Sequence, residues 1–270
     1  MEAVIMKKII SIIVAMAMLA VPACLMSCGG NDANTLTMAT NAAFPPYEYI
    51  EGGKIVGIDA EIAAAIAEKL GMELEIVDTE FDSIIAGVTT GKYDMGMAGM
   101  TVTEDRLKSV NFSETYAKGV QVVIVKEDFE YESYEDFYTG FDDEGNPTGA
   151  IDVKIGVQQG TTGDIYASDA PENWGFGEEN VTRYKTGSDA VQALVAGKVD
   201  CVIIDNEPAK NYVEANKGLK ILDTSYTEED YAIAIAKDNE ALLEDINEAL
   251  DALIKDGTVQ KIIDKYIPAE

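Results

Sequence analysis

The sequence predicts an α/β fold of two lobes, each with a mainly parallel sheet flanked by helices. Short apolar runs typical of buried strands alternate with helical segments in the order β-α-β-α-β over residues 36–98, and the alternation restarts at Lys154. The chain has 270 residues, of which 47% are hydrophobic. It is therefore long enough to bury two separate cores.

The first lobe is predicted over residues 36–125. Isoleucines spaced four residues apart predict a helix at residues 58–70, and Gly71 is expected to end it. Gly52 and Gly53 predict the turn of a hairpin. The remaining elements are strands at residues 36–39, 74–77, 93–98 and 119–125, and a short helix that begins at Phe81 and ends near Gly91.

The second lobe is predicted over residues 126–230, and it begins with an acidic, aromatic segment at residues 129–152. Its strands are predicted at residues 154–157, 181–184, 199–204 and 220–222. Two of its helices are predicted to begin at Asp164 and Glu207, and a third is predicted to follow an N-cap at Ser188. A strand at residues 231–236 and helices at residues 239–255 and 259–266 follow. On pattern alone, this C-terminal part either extends the second lobe or returns to the first.

Composition and charge exclude several classes of function. The chain contains no histidine, which removes Ser-His and Cys-His catalysis, histidine zinc sites and the commonest general base. The net charge of −29 opposes binding to nucleic acid, whose backbone requires a basic surface. We expect no nucleic-acid partner, no metal and no cofactor.

Residues 1–27 resemble a signal peptide that ends in a lipobox. Two lysines precede an apolar run of signal-peptide length, which leads into Leu-Met-Ser and then Cys28. Such a cysteine becomes the acylated N-terminus, so Cys28 is the predicted lipidation site and Cys24 is the weaker alternative. Residues 28–35 are the predicted linker. The folded body is expected outside the cytoplasm, tethered by lipid to the outer face of the cell membrane.

Residues 97–106 combine several features of a binding loop. Gly99 lets the backbone approach a ligand closely, and Arg106 offers a planar fork that suits a carboxylate. Residues 41–47 also follow a predicted strand. Because ligands of parallel sheets bind at the carboxyl ends of strands, both segments are expected in one cleft. The alternative is an ordinary strand–turn–helix junction that carries a surface arginine.

Seven short motifs follow one another along the chain: Phe44-Pro-Pro-Tyr47, Gly57-Ile-Asp-Ala-Glu-Ile62, Phe81-Asp-Ser-Ile-Ile, Gly91-Lys-Tyr-Asp94, Ala98-Gly-Met-Thr-Val-Thr-Glu-Asp-Arg106, Gln159-Gly-Thr-Thr162 and Asp205-Asn-Glu-Pro208. This ordered set resembles the polar-amino-acid solute-binding proteins of ABC importers, family 3. Each motif alone is weak, but the ordered set spans nearly all of the chain after the leader. Two features depart from the family pattern: Ala60 replaces a larger aliphatic residue, and the segment at residues 129–152 is longer than usual.

The resemblance implies a type II periplasmic-binding-protein-like fold, in which two hinge strands join the lobes. The hinges are placed near residues 125–128 and 223–231, so that residues 231–270 return to the first lobe. Ligand would bind between the lobes, and a membrane permease would recognise the closed form. A monomer is expected.

The resemblance also implies residue roles. Arg106 matches the clamp for the ligand carboxylate, and Thr161 matches a second donor to it. Gly99 and Thr101 match partners of the ligand backbone, and Asp205 matches the acid that holds the α-ammonium group. The implied aromatic walls around the ligand side chain are Phe44 and Phe81.

Each of these side chains also has a simpler structural interpretation. Phe44 and Phe81 are equally typical of a core, and Asp205 is a natural N-cap for the helix that follows it. Asn41 and Gln158 are candidates for contact with the end of the ligand side chain, and because both are amides they favour a neutral polar amino acid. Gln158 could instead lie on the surface.

The rival hypothesis is an exported enzyme on the same fold, similar to a cyclohexadienyl dehydratase or a lytic transglycosylase. An enzyme would need a buried general acid near the reacting bond. Once Asp205 is assigned to the ammonium group, no further carboxylate is expected in the cleft. We therefore predict a binding protein with no catalytic residue.

Overall fold

The computed structural model describes residues 34–223 and 225–268. The predicted leader and both candidate acylation sites, Cys28 and Cys24, lie outside the described residues. Of the predicted linker, Thr35 begins the first strand and does not belong to a linker. No helix in the described part of the chain combines the length and apolarity needed to span a bilayer.

The described chain contains fourteen strands and eight α-helices. The strands are β1 (Thr35–Thr40), β2 (Ala43–Phe44), β3 (Glu48–Glu51), β4 (Lys54–Val56), β5 (Glu73–Asp78), β6 (Met95–Gly96), β7 (Val110–Phe112), β8 (Ala117–Lys126), β9 (Ile155–Gln158), β10 (Val181–Tyr184), β11 (Cys201–Asp205), β12 (Leu219–Ile221), β13 (Thr227–Tyr231) and β14 (Ala234–Ala236). The helices are α1 (Ile58–Leu70), α2 (Ile84–Thr89), α3 (Glu104–Ser109), α4 (Thr162–Ser168), α5 (Gly187–Val195), α6 (Asn206–Ala215), α7 (Glu240–Lys255) and α8 (Thr258–Tyr266).

The first lobe is built on a five-stranded sheet in the order β5-β1-β6-β14-β7. One face packs against α1, α7 and α8, where Ile62 and Leu250 belong to a single buried cluster with Met38. The other face packs against α2 through Ile84 and Val88. The sheet is therefore covered on both sides, as its apolar strands require. The hairpin β3–β4 extends from this lobe with β2.

The second lobe is built on a sheet in the order β10-β9-β11-β8-β12, and β13 also pairs with β8. Helices α5 and α6 cover one face through Leu194 and Tyr212. Helix α4 and the long acidic, aromatic segment cover the other face. That segment contributes a 3₁₀ helix at Tyr134–Phe137, whose Phe137 is fully buried. Its aromatic residues thus serve local packing, while the loop at residues 141–145 is exposed.

Both sheets are mixed, whereas the sequence predicts mainly parallel sheets. In the first sheet β1 pairs in parallel with β5 and β6, but β14 runs antiparallel to both of its neighbours. In the second sheet β9 pairs in parallel with β10 and β11, but β8 runs antiparallel to β11 and β12. The antiparallel strands enter each sheet from the other lobe and not through a β-α-β crossover.

The crossing from the first lobe to the second occurs earlier than the sequence predicts. Residues 119–125 were assigned to the first lobe, but Gln121 to Val125 pair with β11, a strand of the second sheet. Strands β8 and β13 pair from Ala117–Tyr231 to Gln121–Thr227 and together form the connection between the lobes. Residues beyond Tyr231 return to the first sheet through β14.

Candidate functional site

A cavity of about 30 Å³ lies between the two sheets, at the carboxyl ends of several strands. The nine residues expected at a ligand site all line it: Asn41, Phe44, Phe81, Gly99, Thr101 and Arg106 from the first lobe, and Gln158, Thr161 and Asp205 from the second. Two hydrogen bonds cross between the lobes at the cavity, one from Arg106 to the Gly160 carbonyl and one from Gln158 to Asn41.

Arg106 is the only cation that lines the cavity among the described residues. Thr103 caps α3, because its hydroxyl accepts a hydrogen bond from the Arg106 N–H at 3.2 Å, and the helix then aims the Arg106 side chain inward. Nη1 donates to the Thr101 carbonyl at 2.7 Å, and Nη2 donates to the Gly160 carbonyl of the second lobe at 3.0 Å. The Arg106 guanidinium also lies 5.4 Å from the centre of the Phe81 ring.

Asp205 supplies a carboxylate from the opposite lobe. It ends β11 and caps α6, since Oδ1 accepts a hydrogen bond from the Glu207 N–H at 3.1 Å. Oδ2 accepts from the Val120 N–H at 2.9 Å and from the Tyr231 hydroxyl at 2.6 Å. Asp205 is almost completely buried, and this burial raises the pKa of its carboxyl group to about 7.

Gly99 and Thr101 form the floor of the cavity. Gly99 has a φ of 50°, and a Cβ at this position would lie 3.0 Å from the Phe44 ring, so glycine is required. Its N–H donates to Asp59 Oδ2 at 2.8 Å. The Thr101 hydroxyl donates to Glu229 Oε2 at 2.9 Å, so its oxygen can still accept a hydrogen bond from a ligand.

Asn41 and Gln158 close one side of the cavity by bonding to each other across the lobes. Gln158 Nε2 donates to Asn41 Oδ1 at 2.8 Å, and its Oε1 accepts from the Gly187 N–H at 3.2 Å. Asn41 Nδ2 donates to the Thr79 carbonyl at 2.8 Å. Gln158 is therefore buried and does not lie on the surface.

Thr161 lies at the N-terminus of α4, beside the carbonyl that Arg106 contacts. Its hydroxyl accepts from the Asp164 N–H at 3.3 Å and donates to the Gln158 carbonyl at 2.8 Å. Phe44 and Phe81 are partly buried, and each packs against a core cluster while one side faces the cavity. Both interpretations that the sequence left open therefore apply, because each ring packs in a core and also lines the cavity.

A family model describing bacterial extracellular solute-binding proteins, family 3, matches residues 36–269. The chain belongs to this family of solute-binding proteins. The family resemblance and the two-lobed type II fold expected from the sequence motifs are thus confirmed.

Named relatives of this solute-binding protein agree with the assignment. It is 32% identical to the arginine-binding extracellular protein ArtP of Bacillus subtilis (strain 168) over 271 residues, which cover 98% of this chain and all of ArtP. A solved structure of an ancestral arginine-binding protein bound to glutamine superposes with a TM-score of 0.76 at 37% identity, covering 88% of this chain and 100% of that one. The structure of an ancestral arginine-binding protein bound to arginine superposes with a TM-score of 0.76 at 38% identity, covering 87% of this chain and 98% of that one.

The sequence interpretation missed two carboxylates of this solute-binding protein. Glu48 and Glu229 both line the cavity, so the expectation of a single cleft carboxylate is wrong. Glu229 Oε2 accepts from Thr101 and from Gln121 Nε2 at 3.0 Å, whereas its buried Oε1 has no hydrogen-bond partner. Glu229 lies two residues before Tyr231 on a strand, so both share a face, and this spacing was the available signal.

Proposed function

We propose that this protein is the extracytoplasmic amino-acid-binding component of an ABC importer. It would capture a free amino acid between its lobes and deliver it to the membrane permease. The observation that carries the proposal is the pairing of Arg106 and Asp205, two opposite charges from opposite lobes that line one cavity. An α-amino acid carries the matching charges on adjacent atoms.

The charge pairing explains why such a ligand would be buried and held. Desolvating a zwitterion is costly unless both of its charges are matched. Arg106 offers two parallel donors to the carboxylate, and Asp205 accepts from the ammonium group. Each charge-assisted hydrogen bond contributes about 1.5–3 kcal/mol. Because the two residues belong to different lobes, the same bonds would favour closure.

We further propose that the ligand side chain is neutral and polar. The amide groups of Asn41 and Gln158 are bonded across the lobes, and either could exchange that bond for one to an amide-bearing ligand. A cationic side chain is the second candidate, favoured by the unpartnered Oε1 of Glu229. The names of arginine-binding relatives also support a cationic ligand.

Titration calorimetry of the protein without its leader, against the common amino acids, tests the proposal. We expect one-to-one binding of a small set, with glutamine and asparagine compared against arginine and lysine. Failure of every amino acid to bind would contradict the proposal. Conversion of a bound ligand into a product would support the enzyme alternative, for which the additional cleft carboxylates Glu48 and Glu229 would be the first candidates.

We also propose that acylation of Cys28 holds the protein on the outer face of the cell membrane. The lipobox-like residues before Cys28 motivate this assignment. In cells that process lipoproteins, the wild type should fractionate with membranes and incorporate labelled palmitate. Cys28→Ser should lose both properties, whereas Cys24→Ser should retain them. The reverse pattern would move the acylation site to Cys24.

A further inference from the structure

Two carboxyl groups are buried together beside the cavity, which Glu48 lines. Glu48 is 1% exposed and Asp59 is 0% exposed. Glu48 begins β3, Asp59 is the second residue of α1, and their carboxyl groups lie within hydrogen-bonding reach of each other. In the part of the chain that the structure describes, no lysine or arginine forms an ion pair with either group.

Three of the four carboxyl oxygens have no donor from any other residue. These are both oxygens of Glu48 and Oδ1 of Asp59. The fourth, Asp59 Oδ2, accepts from the Gly99 N–H at 2.8 Å and from the Tyr116 hydroxyl at 2.9 Å. Two ionised carboxylates in contact, without a cation, are strongly unfavourable in a buried site. One proton placed between them supplies the missing hydrogen bond.

The pattern of donors places that proton on Glu48. Both donors from the rest of the protein point at Asp59, so they stabilise the negative charge there. Glu48 receives no donor and can itself donate to the Asp59 carboxylate. Burial raises the pKa of Glu48 well above its usual range, with the nearby charge of Asp59 as the next cause. Burial also raises the pKa of Asp59, to about 6, although its two donors oppose the shift.

We propose that Glu48 and Asp59 share one proton, and that this protonated pair is the positioning element that holds Gly99 in the ligand site. The pair acts through Asp59, which fixes the Gly99 N–H and with it the left-handed turn under the cavity. This inference rests on the proposed function for its link to ligand affinity. The proton itself does not depend on that function.

Among the described residues, the other titratable groups that face the pair supply no cation and no hydrogen bond to its three unpartnered oxygens. Tyr47, Tyr116 and Tyr212 surround it, and burial raises the pKa of each, so they remain neutral. Asp205 is the remaining group, and its negative charge further favours the protonated form of Glu48. The pair therefore carries a charge of about −1 at neutral pH.

The shared proton predicts the sign of a pH effect on stability. Because the folded-state pKa of Glu48 lies above its unfolded value, the stabilisation is complete below the unfolded pKa and is lost as pH rises through the folded pKa. Glu48→Gln removes this dependence, since its amide donates to Asp59 at every pH. Glu51→Gln is the matched control, because Glu51 is exposed on the same strand.

Thermal unfolding of the three proteins from pH 5 to pH 9 tests the shared proton. We expect the Tm of wild type and of Glu51→Gln to fall relative to that of Glu48→Gln by about 3 °C per pH unit until the pair releases its proton. Parallel curves for wild type and Glu48→Gln over the whole range would overturn the proposal.

Ligand affinity at pH 7 tests the positioning role. Glu48→Leu removes the donor to Asp59, and we expect it to weaken binding by about tenfold or more, with rescue to within about threefold in Glu48→Gln. An equal loss of ligand affinity in Glu48→Leu and Glu48→Gln would overturn the proposal that the shared proton positions Gly99. If the wild type binds no amino acid, the proposed function fails, yet the unfolding curves still decide whether the proton is shared.

Discussion

Replacing Arg106 by alanine should abolish the carboxylate clamp with little change in the fold. Two of the Arg106 nitrogens, Nη1 and Nη2, donate to the carbonyls of Thr101 and Gly160. Other N–H groups of its five-donor fork remain for a ligand. Two charge-assisted bonds to a carboxylate are worth about 3–6 kcal/mol together, so the alanine variant should bind about 10²–10⁴-fold more weakly.

Two further variants separate the charge of Arg106 from its geometry. Arg106→Lys keeps a cation but loses the fork, so its affinity should fall between those of wild type and Arg106→Ala. Lys108→Ala is the matched control, because Lys108 lies on the same helix and its side chain is 74% exposed. Its affinity should change by less than about twofold.

Calorimetry gives the affinities, and thermal unfolding shows whether each variant remains folded. Loss of the buried bond to Thr101 should cost Arg106→Ala only about 1–3 kcal/mol of stability. If folded Arg106→Ala bound the ligand as tightly as Lys108→Ala, the assignment of Arg106 to the ligand carboxylate would be refuted.

Three other predictions concern the remaining polar groups of the site. Because burial raises the pKa of Asp205 to about 7, its carboxyl group is protonated at lower pH, so wild-type affinity should fall as pH drops from 8 to 6, by up to about tenfold per unit. Asp205→Asn should bind weakly at every pH, and a similar pH slope in this variant would assign the titration to another group. Asn41→Asp adds a carboxylate beside the Gln158 amide, and calorimetry should show the affinity for lysine rising relative to the affinity for glutamine by about tenfold or more. An unchanged ratio of the two affinities would show that Asn41 does not contact the ligand side chain. If Oε1 of Glu229 faces the ligand, Glu229→Gln should weaken the binding of arginine by about tenfold and the binding of glutamine by less than about threefold. Equal losses of affinity for both amino acids would show that Glu229 has only a structural role.

Local signals in the sequence were sufficient for elements that depend on neighbouring residues. Helix α1 runs from Ile58 to Leu70 as predicted, and Gly71 ends it with a φ of 68°. The hairpin turn also forms at Gly52 and Gly53, where both φ angles are positive. Periodicity and glycine chemistry decide these features within a few residues of chain.

Features that depend on distant contacts were not predictable in the same way. The α5 helix begins after an N-cap at Thr186 and not at Ser188 as predicted, and the Gly187 N–H bonds to Gln158, a residue of another strand. Strand β8 carries an apolar run that fits either sheet, so only its pairing partners reveal its lobe. An apolar run likewise does not indicate whether its strand pairs in parallel or antiparallel, because the direction depends on the order in which the chain crosses the sheet.

The candidate site shows the same division. Motif resemblance located seven of the residues that line the cavity, since each motif is a short local signal, and Asn41 and Gln158 were expected from their positions near the end of the ligand side chain. It could not reveal Glu48, whose two neighbours are tyrosines, or choose Glu229 among three consecutive acidic residues. Glu48 and Glu229 differ from their neighbouring acidic residues in being buried, and their burial arises only when the lobes assemble.

A crystal structure of the protein with the tightest-binding amino acid from the calorimetric panel would show directly whether Arg106 and Asp205 hold the ligand. We expect the ligand between the two sheets, with its carboxylate on the Arg106 guanidinium near Thr161 and its ammonium group on Asp205. A ligand bound outside this cavity, or held there with its carboxylate away from Arg106, would show that opposite charges from the two lobes do not capture the amino acid.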